Sequence, residues 1–149
     1  MTHKAISVRR QSDWADAVGS VTLGYDDRML RRKRLTLDQG DSLLVDLPET
    51  ISLDAGDAFE LETGQFVEVR AATEDLLQIT GDLPRLAWHI GNRHTPCQIE
   101  QDRLLIKSDH VLRDMLEKLG ATITPVSEPF IPEGGAYGHG RTMGHHHSH

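Results

Sequence analysis

The sequence predicts an α+β protein. An all-β segment covers residues 1–72, a ferredoxin-like β-α-β-β-α-β segment covers 73–130, and a flexible Gly/His-rich tail covers 131–149. Three observations predict this. The first half alternates apolar with polar residues between turn signals, the period of half-buried strands. After residue 72 the chain carries two stretches with apolar residues at helical spacing. From Glu128 onward proline, glycine and histidine dominate, a composition too poor in apolar surface to build a core.

In the first half, "KAISVRR", "SVTLGY", "LLVDL", "AFELE" and "FVEVRAA" read as short strands. Two of them follow a weak internal repeat, "LDQGDSLLVDL" from Leu37 and "LDAGDAFELE" from Leu53. The shared L-D-x-G-D asks for a tight turn. Its glycine suits positive φ, and its aspartates can make local side-chain turns. Residues 1–72 therefore read as a small sandwich or open barrel. "LRRKRL", Leu30 to Leu35, is the one dense basic run. Arg31, Arg32, Lys33 and Arg34 read either as a solvated strand or loop, or as a docking patch for an acidic partner protein.

In the second half, "DLLQIT" (Asp75–Thr80) reads as a strand and "GDLPRLAWHIGN" as a helix. Asp82 can cap that helix, Pro84 is tolerated in its first turn, and Gly91 is a candidate stop. Leu83, Leu86, Ala87 and Ile90 share one face. "PCQIEQ" and "RLLIKS" read as two strands joined by a turn near Asp102. "DHVLRDMLEKLG" is the clearest helix, with Asp109 as N-cap and Gly120 after its last turn. Its apolar stripe is Val111, Leu112, Met115, Leu116 and Leu119. "ATITPVSE" reads as a strand interrupted by Pro125, hence an edge or a strand end. The order is that of a split β-α-β arrangement.

Composition excludes several functions. The formal net charge of −7 argues against a nucleic-acid or anionic-membrane binder, since both need a positive surface. No apolar run approaches the ~20 residues of a membrane span. The start lacks a signal-peptide core, so a cytoplasmic protein is expected. A single cysteine, Cys97, excludes an internal disulfide framework and fits a reducing compartment. Next to Pro96 in an apolar strand, it reads as a small buried filler. No nucleophile elbow, phosphate loop, dinucleotide fingerprint or H-E-x-x-H is present, so no catalytic residue is expected.

With nine histidines against one cysteine, metal chemistry here is imidazole chemistry. His139, His145, His146, His147 and His149 crowd the tail. They can gather transition metal but define no geometry, and imidazole suits nickel, zinc, copper and iron alike. A purification tag is normally an unbroken run, whereas "GHGRTMGHHHSH" is interrupted and reads as native. His3 reads as an exposed terminal residue. His89 falls in the last turn of a helix and His94 in the loop after it. Their spacing of five does not place them on one helical face. His94 reads from spacing as an exposed loop residue or a ligand. His110 follows an N-cap at a helix start. The positive helix end there disfavours imidazolium and favours the ligating neutral ring, although a polar first-turn residue reads the same way. His89, His94 and His110 could supply three ligands of a catalytic zinc, but no carboxylate is placed as its base.

Three ordered segments carry a resemblance. They are H-x-G-N-R-H-x-P-x-Q at His89–Gln98, D-H-V-L-x-x-M-L-x-x-L-G at Asp109–Gly120, and P-F-x-P-E-x-G-A-Y at Pro129–Tyr137. With the L-D-x-G-D strands and the histidine tail, the chain resembles the UreE urease accessory family of nickel-donating metallochaperones over nearly its whole length. The resemblance implies a peptide-binding-like β domain, a ferredoxin-like metal-binding domain and a homodimer. It implies that His94 meets its copy across the two-fold axis to bind Ni2+, and that Zn2+ or Cu2+ can bind as well. His89 and His110 match secondary metal positions of some members. The further histidine that some members carry two residues before His110 is Ser108 here, which speaks against a peripheral site built from that pair. The implied partners are apo-urease and its accessory complex, including a GTPase. The alternative is a general transition-metal buffer or store without a dedicated client.

Overall fold

The computed structural model describes residues 2–134, and the chain divides into two compact units, Met1–Ala72 and Thr73–His149.

The first unit holds β1 (Thr2–Arg9), β2 (Ala17–Leu23), a short 3-10 turn (Tyr25–Arg28), β3 (Met29–Thr36), β4 (Ser42–Ser52), β5 (Ala58–Leu61) and β6 (Phe66–Ala71). They form one six-stranded sheet in the order β2-β6-β5-β1-β4-β3. β1 runs parallel to β4 and β2 parallel to β6; the other pairs are antiparallel. Alternation aims Leu43, Val45 and Leu47 of β4 inward, with Ala5, Val21, Phe59, Leu61, Val67 and Val69 from four other strands. One sheet encloses this core because it curls. The turn between β3 and β4 reaches the opposite edge, where the Asp38 N–H donates to the Ser20 carbonyl at 2.8 Å. The Ser20 and Thr22 hydroxyls donate to the Asp38 carboxylate at 2.6 and 3.0 Å.

Both L-D-x-G-D copies are tight turns with glycine at positive φ, Gly40 at 103° and Gly56 at 95°. Their last aspartates diverge. Asp57 is buried and takes the Arg10 guanidinium at 2.7 Å, whereas Asp41 meets the His3 ring at 3.1 Å. The expected strand through Tyr25 stops at Leu23, and Tyr25 belongs to the 3-10 turn.

The second unit holds β7 (Thr73–Thr80), α1 (Leu83–Asn92), β8 (Gln98–Ile99), β9 (Leu104–Lys107), α2 (His110–Lys118) and β10 (Thr122–Pro129). Its antiparallel sheet has the order β10-β7-β9-β8. Leu77 and Ile79 of β7 and Leu104 and Ile106 of β9 alternate onto one face. There they pack with Leu86 and Ile90 of α1 and with Leu112 and Leu116 of α2. Each such burial is worth roughly 1.5–3 kcal/mol before entropy is counted. Val111, expected in the α2 stripe, is instead 53% exposed. Pro125 does not interrupt β10, which pairs with β7 from Thr122 to Pro129. It sits on an edge strand, where a missing N–H costs no ladder bond.

The caps differ from expectation at α1. Asp82 holds the N-cap position without a side-chain bond, and Gly91 lies inside the helix instead of ending it. At α2 Asp109 caps as expected: its carboxylate accepts from the Val111 and Leu112 N–H groups at 2.9 and 3.1 Å. Among the described residues no helix is long and apolar enough to cross a membrane.

Candidate metal centre

His94 owes its position to how α1 ends. The C-cap is Arg93, and the next residue, His94, takes φ 57°. The His94 N–H donates to the Gly91 carbonyl at 2.9 Å and the Thr95 N–H to the Ile90 carbonyl at 3.4 Å. This is the Schellman pattern, in which the left-handed residue after the C-cap is usually glycine. Here a histidine fills it, at a steric cost of ~1–2 kcal/mol. Gly91 is the glycine that the sequence offered as a stop, but the left-handed geometry falls three positions later.

His94 is exposed and lines a hollow of about 150 Å³ together with Ala87, Gly91, Thr95, Cys97, Ile99 and Glu133. The segment beyond β10 forms one wall. There the Ile131 N–H donates to the Gln98 side-chain oxygen at 2.8 Å, and the Glu133 N–H to the Cys97 carbonyl at 2.9 Å. Trp88, Ile99 and Ile131, on segments that carry or flank the hollow, are 64%, 51% and 47% exposed. Cys97 is half-buried against the core of the unit, and burial, with the Glu133 charge adding to it, pushes its thiol up to about 11. It therefore stays protonated at neutral pH and behaves as the filler expected of it.

The remaining candidates lie apart from this hollow. His89 is half-buried and meets the Trp88 ring edge-on at 5.0 Å between centroids. His110 is exposed at the first position of α2. Among the described residues no three histidine, cysteine or acidic side chains gather to hold a metal ion. A three-ligand catalytic zinc built from His89, His94 and His110 in one chain is thereby removed. His139, His145, His146, His147 and His149 lie outside the described residues.

The basic run lies in β3, an edge strand of the first unit. Its pairing with β4 shifts register between Leu30 and Arg32, and Arg31, Arg32, Lys33 and Arg34 are all exposed on this edge. Arg32 meets Asp46 at 3.2 Å and Lys33 meets Asp27 at 3.8 Å. Arg31 donates to the Leu47 carbonyl and Arg34 to the Ser42 hydroxyl.

Sequence reasoning missed Glu133. It lies thirty-nine positions from His94 in a segment assigned to the tail, so local periodicity carries no signal that both line one hollow. The nearest hint is the P-F-x-P-E motif that contains it.

Comparison with known proteins gives a consistent answer for the two units. The family description "UreE urease accessory protein, N-terminal domain" matches residues 1–72, and "UreE urease accessory protein, C-terminal domain" matches 66–149. The chain is 64% identical over 141 residues to the urease accessory protein UreE of Ruegeria pomeroyi, covering 94% of this chain and 95% of that one. It is 63% identical to that of Cereibacter sphaeroides, covering 93% and 76% of the two chains. With that of Rhodobacter capsulatus it shares 56% identity, covering 99% and 94%.

Proposed function

From the premise that the chain belongs to the UreE urease accessory protein family, we propose that it is a nickel carrier for urease maturation. It binds Ni2+ through histidines as cargo and donates it to apo-urease within an accessory complex that includes a GTPase. It catalyses no reaction and works in the cytoplasm. The second unit, with strand order β10-β7-β9-β8 and two helices on one face, is read as ferredoxin-like, and the tail as a flexible metal collector.

The observation that carries this is His94. A non-glycine residue held in the left-handed region carries local strain, and such positions cluster at functional sites. Its imidazole is exposed at a hollow with apolar surroundings. One imidazole is an incomplete shell, and a symmetric homodimer supplies the second from the same residue of the other copy. Trp88, Ile99 and Ile131 supply apolar surface for such a contact. A shell of two imidazoles, completed by water or by tail imidazoles, binds firmly enough to select and loosely enough to release. Zn2+ and Cu2+ can enter it too. His139, His145, His146, His147 and His149 collect metal, with His89 and His110 as secondary positions. Arg31, Arg32, Lys33 and Arg34 offer a basic edge to an acidic partner.

The test is a calorimetric Ni2+ titration of the full chain and of His94→Ala, then exposure of each loaded protein to apo-urease with its accessory GTPase. Loss of the tight site with the circular dichroism unchanged is expected. Unchanged affinity and stoichiometry would reject His94 as the primary ligand. Tight binding without transfer to the partner would make the protein a buffer instead of a donor.

A further inference from the structure

We infer that Glu133 is an oxygen donor of the metal site at His94, and that Ile131–Glu133 is docked on β8 to hold its carboxylate there. The inference rests on the reading of His94 as the primary ligand.

Phe130, fully buried, anchors the start of the segment, whereas Ile131 is 47% exposed. Past Phe130 the course of the chain is set by hydrogen bonds. The Gln98 side-chain amide donates to the Glu100 carboxylate at 2.7 Å and accepts from the Ile131 N–H at 2.8 Å. A carboxylate only accepts and an N–H only donates, so the amide can satisfy both in one orientation only. Glu100 is itself fixed by the Arg103 guanidinium at 2.9 and 3.2 Å. Arg103 also grips Glu128 of β10 at 2.7 and 2.8 Å and Gln78 of β7 at 3.1 Å. The brace thus runs across the sheet from β10 to β8 and ends on the amide that seats Ile131. Two residues on, the Glu133 N–H bonds to Cys97 and the residue enters the wall of the hollow that His94 lines.

The chemistry fits a divalent ion. Imidazole nitrogen with carboxylate oxygen suits Ni2+ and Zn2+, and the negative charge offsets that of the ion. Of the donors that line the hollow, Cys97 is a protonated thiol half-buried against the core, which leaves His94 and Glu133, and among the described residues no three-ligand group gathers. A two-fold assembly doubles the pair to four donors.

The experiment is a double-mutant cycle read by calorimetric Ni2+ titration of the full chain, comparing wild type, Glu133→Gln, His94→Ala and the double variant. Glu133→Gln should weaken the tightest site about 10-fold, the scale of lost partners around a metal centre, and should have no further effect once His94 is gone. Gln98→Met keeps length but neither hydrogen bond. It should weaken the same site with Glu133 intact, its folding checked by an unchanged melting profile, and Glu133→Asp should recover part of the affinity. If Glu133→Gln binds as wild type while His94→Ala loses the site, Glu133 is not a donor and His94 stands. If Glu133→Gln weakens binding equally in both backgrounds, its carboxylate acts elsewhere and the inference falls. If His94→Ala itself changes nothing, the underlying reading fails first.

Discussion

His94→Gly should make the metal-free protein more stable. The native His94 takes φ 57° at the position after the α1 C-cap, where both Schellman bonds come from backbone N–H groups that any residue supplies. A side chain in that region costs ~1–2 kcal/mol, and glycine removes the cost. Glycine in turn loses ~0.5–1 kcal/mol through the greater freedom of its unfolded chain. The imidazole is exposed, so its removal forfeits little packing. The net gain is ~0.5–1 kcal/mol, or about 2–8 °C for a domain of this size. The assay is thermal unfolding in chelator by scanning calorimetry, with His94→Ala as control, since alanine keeps the strain. Nickel should invert the order. At 100 times Kd a bound ligand stabilises wild type by ~2.7 kcal/mol, more than the strain costs, and the glycine variant lacks that site. A glycine variant that melts with or below the alanine variant in chelator would refute the idea that His94 is strained.

Three further outcomes follow from the described contacts. Asp109→Ala leaves the Val111 and Leu112 N–H groups without their cap and should cost ~1 kcal/mol; an unchanged urea midpoint would show that the cap contributes nothing. The Arg103 guanidinium hydrogen-bonded to Glu128 holds that carboxyl below its usual range, so its contribution is present above the ordinary carboxylate pKa and lost as pH falls through the depressed value. Arg103→Met should therefore be less stable than wild type at pH 7, with the gap closing below about pH 4, and a pH-independent gap in urea unfolding would exclude the ion pair as its source. With its thiol pushed up to about 11, Cys97 should alkylate slowly at pH 8 and accelerate until well above pH 10, and a rate matching an unstructured cysteine at pH 8 would contradict its burial.

The second unit was largely legible because its signals are local. Asp109, Gly120 and the apolar spacing of α2 sit within a dozen residues, and they mark the helix that forms. The curled sheet was less so. The parallel pairings of β1 with β4 and β2 with β6 join strands far apart in the chain, and nothing in either strand names its partner. The register shift in β3 is equally invisible, as is the edge position that leaves four consecutive basic residues facing solvent. At α1 the local rule pointed the wrong way. Gly91 has the right chemistry for a helix end, yet the helix runs past it and the left-handed residue is His94, three positions on. Spacing alone left His94 open between ligand and surface loop, and Glu133 was out of reach because its place in the lining of the same hollow is purely tertiary.

On the proposed reading as a nickel carrier, the curl of the first unit also bears on how the protein tolerates the metal it would carry. Histidines on different copies can share one ion, so metal loading draws molecules together. A sheet with bare edges would turn that crowding into irreversible strand pairing. Here one edge is occupied by the Asp38 turn and the other bristles with four cations. Clustering driven by nickel should therefore dissolve when the nickel is withdrawn, leaving soluble protein behind and no fibrous aggregate.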